Sequence, residues 1–251
     1  MKLNFKTFGS GPPLVICHGL FGMLDNWHTL AKKWADDFSV FIVDLRNHGK
    51  SPHDEEFSYT SMAEDLQEFL EDNWIHKAHF LGHSMGGKAV MQLALSEPDL
   101  IEKLVVVDMG TDANKAGHQT IFEAMLSLPI DSLKSRGEAE EHLSQYIEQP
   151  GVRLFLMKNL TRNPTGGFRW KMNLPVIHKN YTEILKAMPM ETFEGNTLFI
   201  RGAKSGYLPS ELSEQTLGRF PKAVQLNFEA GHWVHAEKPN ELSEAVRNFL
   251  L

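Results

Sequence analysis

The feature that most constrains the fold is a five-residue segment, residues 82–86 (GHSMG), which lies between a strand pattern and a helix pattern. The residues before it, 78–81 (AHFL), predict a short buried strand, and residues 85–96 carry apolar side chains at helical spacing. A strand that turns into a helix over so few residues needs glycine two positions before and two positions after the central residue. A side chain at either position would collide with the nearby backbone. The motif G-x-S-x-G in this setting is a nucleophile elbow, a turn that holds the Ser84 hydroxyl above the edge of a sheet.

Other segments of the chain predict the sheet that such a turn requires. Residues 3–8 predict an edge strand, and residues 224–228 predict another strand near the end of the chain. Continuous apolar runs, which are typical of strands covered on both faces, occur at residues 14–17, 40–43, 104–107 and 197–200. Amphipathic helices alternate with these strands. One of them begins near Thr60, where Ser61 and Glu64 fit a capping box. The alternation predicts an α/β protein with a mostly parallel, doubly wound sheet.

The strand pattern stops between residues 114 and 190. Helical patterns and loops replace it there, at residues 121–128, 138–147 and 152–160, followed by a glycine turn at 166–170. We therefore expect an α/β core made of residues 1–113 and 191–251, with a helical cap formed by residues 114–190. Many of the apolar side chains in this insertion are expected to cover the Ser84 site.

Charge and cysteine content narrow the classes of partner. The net charge of −7 argues against nucleic acid or an anionic membrane surface as a partner. The single cysteine, Cys17, lies in an apolar run, so we expect it to be buried and the protein to occupy a reducing compartment. No apolar segment of signal-peptide or membrane-spanning character is apparent, and the predicted location is cytoplasmic.

A serine hydroxyl becomes a good nucleophile only when a base accepts its proton, so a histidine is needed near Ser84. His232 is the best candidate among 12 histidines. It follows the strand that ends at Phe228, which places it at the carboxyl edge of the sheet, where the sites of α/β proteins collect. His235 lies three residues further on, but no third ligand is spaced to join the pair, and no metal is expected.

Four segments together resemble the capped α/β-hydrolases, and the resemblance covers essentially the whole chain: residues 18–22 (HGLFG), 44–51 (DLRNHGKS), 82–87 (GHSMGG) and 230–235 (AGHWVH). Within that family the chain is similar to small bacterial esterases and thioesterases that are related to a mitochondrial abhydrolase-domain protein. The resemblance implies an α/β-hydrolase fold and an oxyanion hole that includes the backbone N–H of Leu20. The second donor is expected to be the N–H of Met85, which follows the nucleophile at a helix N-terminus.

The third catalytic residue departs from the usual family pattern. Most α/β-hydrolases carry an acid shortly after the strand that corresponds to residues 197–200, and Ser205 stands at that place here. A serine cannot provide the negative charge that stabilises an imidazolium. Asp108 ends the strand at 104–107, at the same edge of the sheet, and the smaller family group has its acid there. If Asp108 is not the acid, Asp112 is the alternative. Asp108 would then have a structural role, in which it caps the turn that follows its strand.

One further acidic residue receives a structural interpretation. Asp44 also ends a strand, but it belongs to a loop motif in which we expect it to pair with Arg46.

These residues together predict a serine hydrolase. We expect it to cleave carboxylic esters or thioesters of short-to-medium acyl chains through an acyl-enzyme on Ser84, with Asp108 and His232 completing the triad and no cofactor or metal. Trp233 and Phe21 are candidate substrate-binding residues, and the expected partner is a small-molecule ester or thioester. Two alternatives stay open: other chemistry of the same triad, such as C–C bond hydrolysis or perhydrolysis, and a non-catalytic small-molecule sensor.

Overall fold

The computed structural model describes residues 1–251 and is built around a seven-stranded sheet. The nine strands are β1 (Phe5–Phe8), β2 (Pro13–Cys17), β3 (Ser39–Val43), β4 (Ala78–His83), β5 (Ile101–Val107), β6 (Leu160–Arg162), β7 (Phe168–Trp170), β8 (Thr197–Gly202) and β9 (Ala223–Phe228). The central sheet has the order β1-β3-β2-β4-β5-β8-β9, whereas β6 and β7 form a separate hairpin. Only β1 runs antiparallel to its neighbour in the central sheet. The predicted mostly parallel α/β sheet is therefore confirmed.

Helices cover both faces of this sheet. They are α1 (His28–Trp34), α2 (Tyr59–Asp72), α3 (Met85–Ser96), α4 (Gln119–Leu126), α5 (Arg136–Ser144), α6 (Pro150–Met157), α7 (Leu174–Lys179), α8 (Glu214–Arg219), α9 (Val234–Glu237) and α10 (Pro239–Leu250). Short 3₁₀ helices occupy Leu24–Trp27, Pro98–Leu100 and Glu183–Leu185. Successive residues of a strand point to opposite faces, so Val15 packs in the core beneath α2 and α3, while Ile16 packs in the core beneath α1 and α10. This two-sided burial explains the continuous apolar runs of the sequence.

The start of α2 differs from the sequence prediction. The helix begins at Tyr59, and its N-cap is Ser58, whose hydroxyl accepts a hydrogen bond of 3.1 Å from the N–H of Ser61. The Ser61 hydroxyl in turn accepts from the N–H of Ser58. The capping box predicted at Ser61 and Glu64 is therefore wrong by one turn, because a serine rather than a glutamate closes the box here.

The predicted pairing of Asp44 with Arg46 is also wrong. The Arg46 guanidinium instead makes a two-pronged ion pair with Asp65 of α2, at 2.6 and 2.9 Å, and both side chains are buried. The Asp44 carboxylate accepts hydrogen bonds from the backbone N–H groups of Leu24 and Lys50. Asp44 and Arg46 therefore have different partners. The sequence does not predict this, because the pattern of α2 does not distinguish the buried Asp65 from the exposed acidic residues of the same helix.

The segment between β5 and β8 holds α4 to α7 and the β6–β7 hairpin. The hairpin is absent from the sequence prediction, since strands of three residues are too short to show a period. A small apolar cluster that includes Leu133, Ala139 and Phe168 holds this segment together.

Two sequence predictions bear on the environment of the chain. Cys17 is fully buried on β2, as predicted. None of the helices combines the length and the hydrophobicity that crossing a membrane requires. The cytoplasmic location stays a prediction, as does the absence of nucleic-acid and membrane partners.

Candidate active site

Ser84 lies at the junction of β4 and α3 in a backbone conformation that few residues adopt. Its φ is +53° and its ψ is −120°, a left-handed conformation that costs energy in any residue with a Cβ. The turn depends on the flanking glycines. A Cβ on Gly82 would lie 2.2 Å from the carbonyl oxygen of Gly86, and a Cβ on Gly86 would lie 2.4 Å from that of His18. The sequence G-x-S-x-G is therefore a packing requirement of this turn.

An unbroken hydrogen-bonded chain connects Ser84 with two residues from distant parts of the sequence. Ser84 Oγ lies 2.9 Å from Nε2 of His232, and Nδ1 of His232 lies 2.7 Å from Oδ2 of Asp108. Asp108 directly follows β5, is fully buried, and accepts a second hydrogen bond from the N–H of Gly202. Because a buried carboxylate can only accept here, Nδ1 carries the imidazole proton and Nε2 is left free to accept one from Ser84.

The other residues considered for the acidic position lie outside this chain of hydrogen bonds. The Asp112 side chain is exposed, and only its backbone carbonyl is engaged, by Lys88 Nζ at 2.7 Å. The Ser205 hydroxyl accepts from the N–H of Tyr207 and closes a turn. That turn places the Tyr207 ring against the imidazole of His232, with ring centroids 4.2 Å apart. Asp108 is thus the acid that the structure brings to His232.

Two backbone N–H groups beside Ser84 have no hydrogen-bond partner within the protein, those of Leu20 and Met85. Met85 is the first residue of α3, where backbone N–H groups point out of the helix and favour negative charge. The Leu20 N–H is oriented by the preceding carbonyl. Gly19 O accepts from the Gly22 N–H at 2.9 Å and from His18 Nδ1 at 2.8 Å. In a planar trans peptide the N–H points away from the carbonyl, so fixing Gly19 O also fixes the Leu20 donor.

His18 and His83 have positions that explain their presence in the motifs. Nε2 of His18 accepts from the N–H of Leu45, which leaves its proton on Nδ1 for the bond to Gly19 O. His83 Nε2 lies 2.8 Å from the backbone carbonyl of His232. Burial, together with repulsion from His232, lowers the pKa of His83 well below its usual value, so it donates this bond as a neutral ring. The sequence offered no signal for the contact between His83 and the His232 backbone.

A cavity of about 570 Å³, open to solvent, lies next to Ser84 and His232. Phe21 and Trp233, the predicted substrate-binding residues, both line it, and Phe155 and Leu156 of α6 close it on the side of the insertion. The Trp233 ring packs against Phe155, with centroids 5.3 Å apart. Ile121 and Val152 of the insertion line the cavity as well.

Comparisons with known proteins show the family to which the chain belongs. A family model described as alpha/beta hydrolase fold matches residues 12–239. Esterase YbfF of Escherichia coli (strain K12) is 37% identical over 257 residues, which cover 100% of this chain and 99% of that protein. The sn-1-specific diacylglycerol lipase ABHD11 of Danio rerio is 38% identical over 263 residues, which cover 100% of this chain and 83% of that protein. Among solved structures, a marine microorganism esterase superposes with a TM-score of 0.96 at 36% identity, covering 99% of each chain. The chain therefore belongs to the alpha/beta hydrolase family, in the part of it that holds these esterases and lipases.

Proposed function

We propose that this protein is a serine hydrolase that cleaves carboxylic esters or thioesters of short-to-medium acyl chains through an acyl-enzyme on Ser84. The observation that carries the proposal is the continuous hydrogen-bonded chain from Ser84 Oγ through His232 to Asp108. The similarity to proteins named as an esterase and a diacylglycerol lipase supports the choice of an ester bond. The unpaired N–H groups of Leu20 and Met85 support acyl transfer, because they can stabilise an oxyanion at the attacked carbonyl.

The first half of the proposed reaction forms the acyl-enzyme. His232 Nε2 takes the Ser84 proton while Oγ forms a bond to the acyl carbon, and the carbonyl oxygen becomes an oxyanion held by the two backbone N–H groups. Asp108 stabilises the imidazolium and keeps its ring oriented. His232 then gives the proton to the leaving alkoxide or thiolate as the C–O or C–S bond breaks.

The second half releases the acid. Water gives a proton to His232 Nε2 and attacks the acyl carbon, and a second oxyanion forms in the same hole. The bond to Ser84 Oγ breaks, and His232 returns the proton to that oxygen. His232 and water carry every proton, so these steps require no cofactor.

We further propose that residues 114–190 act as a cap on a core formed by residues 1–113 and 191–251. Side chains of α6 together with Phe21 and Trp233 line the cavity beside Ser84. Their apolar surface suits an alkyl chain, and the small enclosed space beside Ser84 favours chains of short-to-medium length.

The test is hydrolysis of p-nitrophenyl esters of increasing acyl length, with matched thioesters, by wild type and by the Ser84→Ala, Asp108→Asn and Asp112→Asn variants. The proposal predicts steady turnover by wild type and by Asp112→Asn, with turnover abolished in Ser84→Ala and greatly reduced in Asp108→Asn. The ratio of ester to thioester rates then assigns the bond that is cleaved. A single burst of about one equivalent without further turnover would contradict the proposal and favour the sensor alternative.

A further inference from the structure

Ser84 lies where two cavities meet. The main cavity is the one described above, bounded by Trp27, Phe155 and Trp233. A second, narrower cavity shares Ser84 with it and is bounded elsewhere by residues that include Tyr59, Met109 and Tyr207.

Three residues line both cavities: Leu20, Ser84 and His118. The first two have roles in the proposed mechanism, but His118 has none. It lies immediately before α4, in the insertion, and its ring is held edge-on by Phe21 and Tyr181, at centroid distances of 5.9 and 5.6 Å. His118 is therefore a polar side chain that the insertion places beside the reacting atoms.

The Tyr181 hydroxyl is the hydrogen-bond partner of the His118 ring. Nδ1 lies 2.6 Å from the hydroxyl oxygen of Tyr181, and the N–H of Gly117 donates to the same oxygen at 3.3 Å. The Gly117 N–H uses one acceptor position of this oxygen, and the arrangement in which the hydroxyl directs its own hydrogen at Nδ1 satisfies both groups. In that arrangement Nδ1 is an acceptor, and the ring proton resides on Nε2.

Nε2 of His118 has no partner in the protein, while Nδ1 faces Tyr181. The two nitrogens lie on different sides of the ring, so the Nε2–H is turned away from Tyr181. Burial, with repulsion from His232, lowers the pKa of His118, so the ring is a neutral donor near pH 7. In this tautomer His118, which lines both cavities, has an Nε2–H that donates to no group of the protein.

We propose that His118 is a positioning residue whose Nε2–H donates to a substrate oxygen within a few bonds of the scissile carbonyl. This inference rests on the proposed ester or thioester hydrolysis. The carbonyl oxygen itself is bound by the N–H groups of Leu20 and Met85, so the acceptor is a different oxygen. An acceptor further from the carbonyl would lie deep in one cavity, away from the junction. The substrate class is therefore esters that carry an ether, hydroxyl or second carbonyl oxygen close to the reacting group.

Two pairs of esters, matched in length, test the proposal, and in each pair one methylene is replaced by oxygen. The acyl-side pair is p-nitrophenyl methoxyacetate and p-nitrophenyl butanoate, and the alcohol-side pair is 2-methoxyethyl butanoate and butyl butanoate. The measured quantity is the ratio of kcat/KM within each pair, compared between wild type and His118→Phe. Intrinsic differences in ester reactivity cancel in this comparison.

We expect the wild-type ratio to exceed that of His118→Phe by about threefold to tenfold in one of the pairs, the size of one hydrogen bond. The responding pair shows whether the oxygen belongs to the acyl or the alcohol part. His118→Gln retains an N–H donor and should keep part of the preference for the oxygen-containing ester. Tyr181→Phe removes the hydroxyl that bonds to Nδ1 and should lose part of that preference. His142→Phe is the matched control. It changes a histidine of the insertion that bonds to Ser127 Oγ and lines neither cavity, so its ratios should equal those of wild type.

Equal ratios in wild type and His118→Phe for both pairs would overturn the proposal. A uniform fall for all four esters, with a lower Tm, would also overturn it, since it would show a structural role only. Failure of the proposed function is a separate result, in which wild type cleaves neither the oxygen-containing esters nor butyl and p-nitrophenyl butanoate. That result would overturn both.

Discussion

Replacing Asp108 with asparagine is expected to remove most of the activity while leaving the fold intact. The Asp108 carboxylate accepts two hydrogen bonds, from His232 Nδ1 at 2.7 Å and from the Gly202 N–H at 2.9 Å. An asparagine has the same shape but only one acceptor oxygen. If that oxygen keeps the bond to Gly202, the side-chain NH₂ faces His232 and forces the imidazole proton onto Nε2. The base then cannot accept the proton of Ser84.

The expected size of this effect follows from the tautomer. A wrong histidine tautomer lowers kcat by roughly 10⁴-fold in a chymotrypsin-type protease, which corresponds to about 5 kcal/mol of transition-state stabilisation. KM should change little, because Asp108 is fully buried and lines neither cavity.

The assay is initial-rate hydrolysis of p-nitrophenyl butanoate at pH 7 to 8, with circular dichroism to verify the fold. Asp112→Asn is the matched control, since its side chain is exposed and makes no contact with His232. We expect it to retain wild-type kcat. A kcat for Asp108→Asn within tenfold of wild type would refute the reasoning, and so would a large loss in Asp112→Asn alone.

Three further predictions concern the scaffold around the site. Buried Lys88 donates hydrogen bonds to the backbone carbonyls of Asp112 and Lys186, at 2.7 and 2.6 Å. Lys88→Met should therefore lower the Tm measured in a thermal scan by about 2–8 °C. Lys77 is exposed, and the control Lys77→Met should leave the Tm unchanged. Gly86→Ala places a Cβ 2.4 Å from a carbonyl oxygen and should abolish soluble, active protein on expression, whereas Gly206→Ala meets open space and should behave as wild type. Burial lowers the pKa of His48 from 6.5 to about 3, so its contribution to stability is present above pH 6.5 and is lost as the pH falls towards 3. The free energy of unfolding, measured with urea, should therefore fall between pH 7 and pH 5 in wild type. In His48→Asn this fall should be smaller by about 2 kcal/mol.

The sequence predicted those parts of the protein whose signal is local. Strands buried on both faces appear as continuous apolar runs, and the turn at Ser84 appears as a fixed pattern of glycines, because each depends on residues close in sequence. The location of His232 at the carboxyl edge of the sheet follows from the strand before it. These features were enough to bring Ser84, Asp108 and His232 together as candidates.

What the sequence did not predict depends on contacts between distant segments. Arg46 pairs with Asp65 rather than with nearby Asp44, because α2 presents its buried carboxylate to the loop. The free nitrogen of His118 becomes apparent only when Tyr181, 63 residues away, is seen to occupy the other one. The sequence around Asp65 and His118 does not show whether their side chains are exposed or contact a distant segment.

The most direct test of the central claim is detection of an acyl group on Ser84 during turnover. Wild-type protein is mixed with p-nitrophenyl butanoate, quenched in acid within milliseconds, and analysed by intact and peptide mass spectrometry. We predict the mass gain of one butanoyl group on the peptide that contains Ser84, with no gain and no turnover in Ser84→Ala. Turnover by wild type without any acyl adduct, together with undiminished activity in Ser84→Ala, would contradict the account.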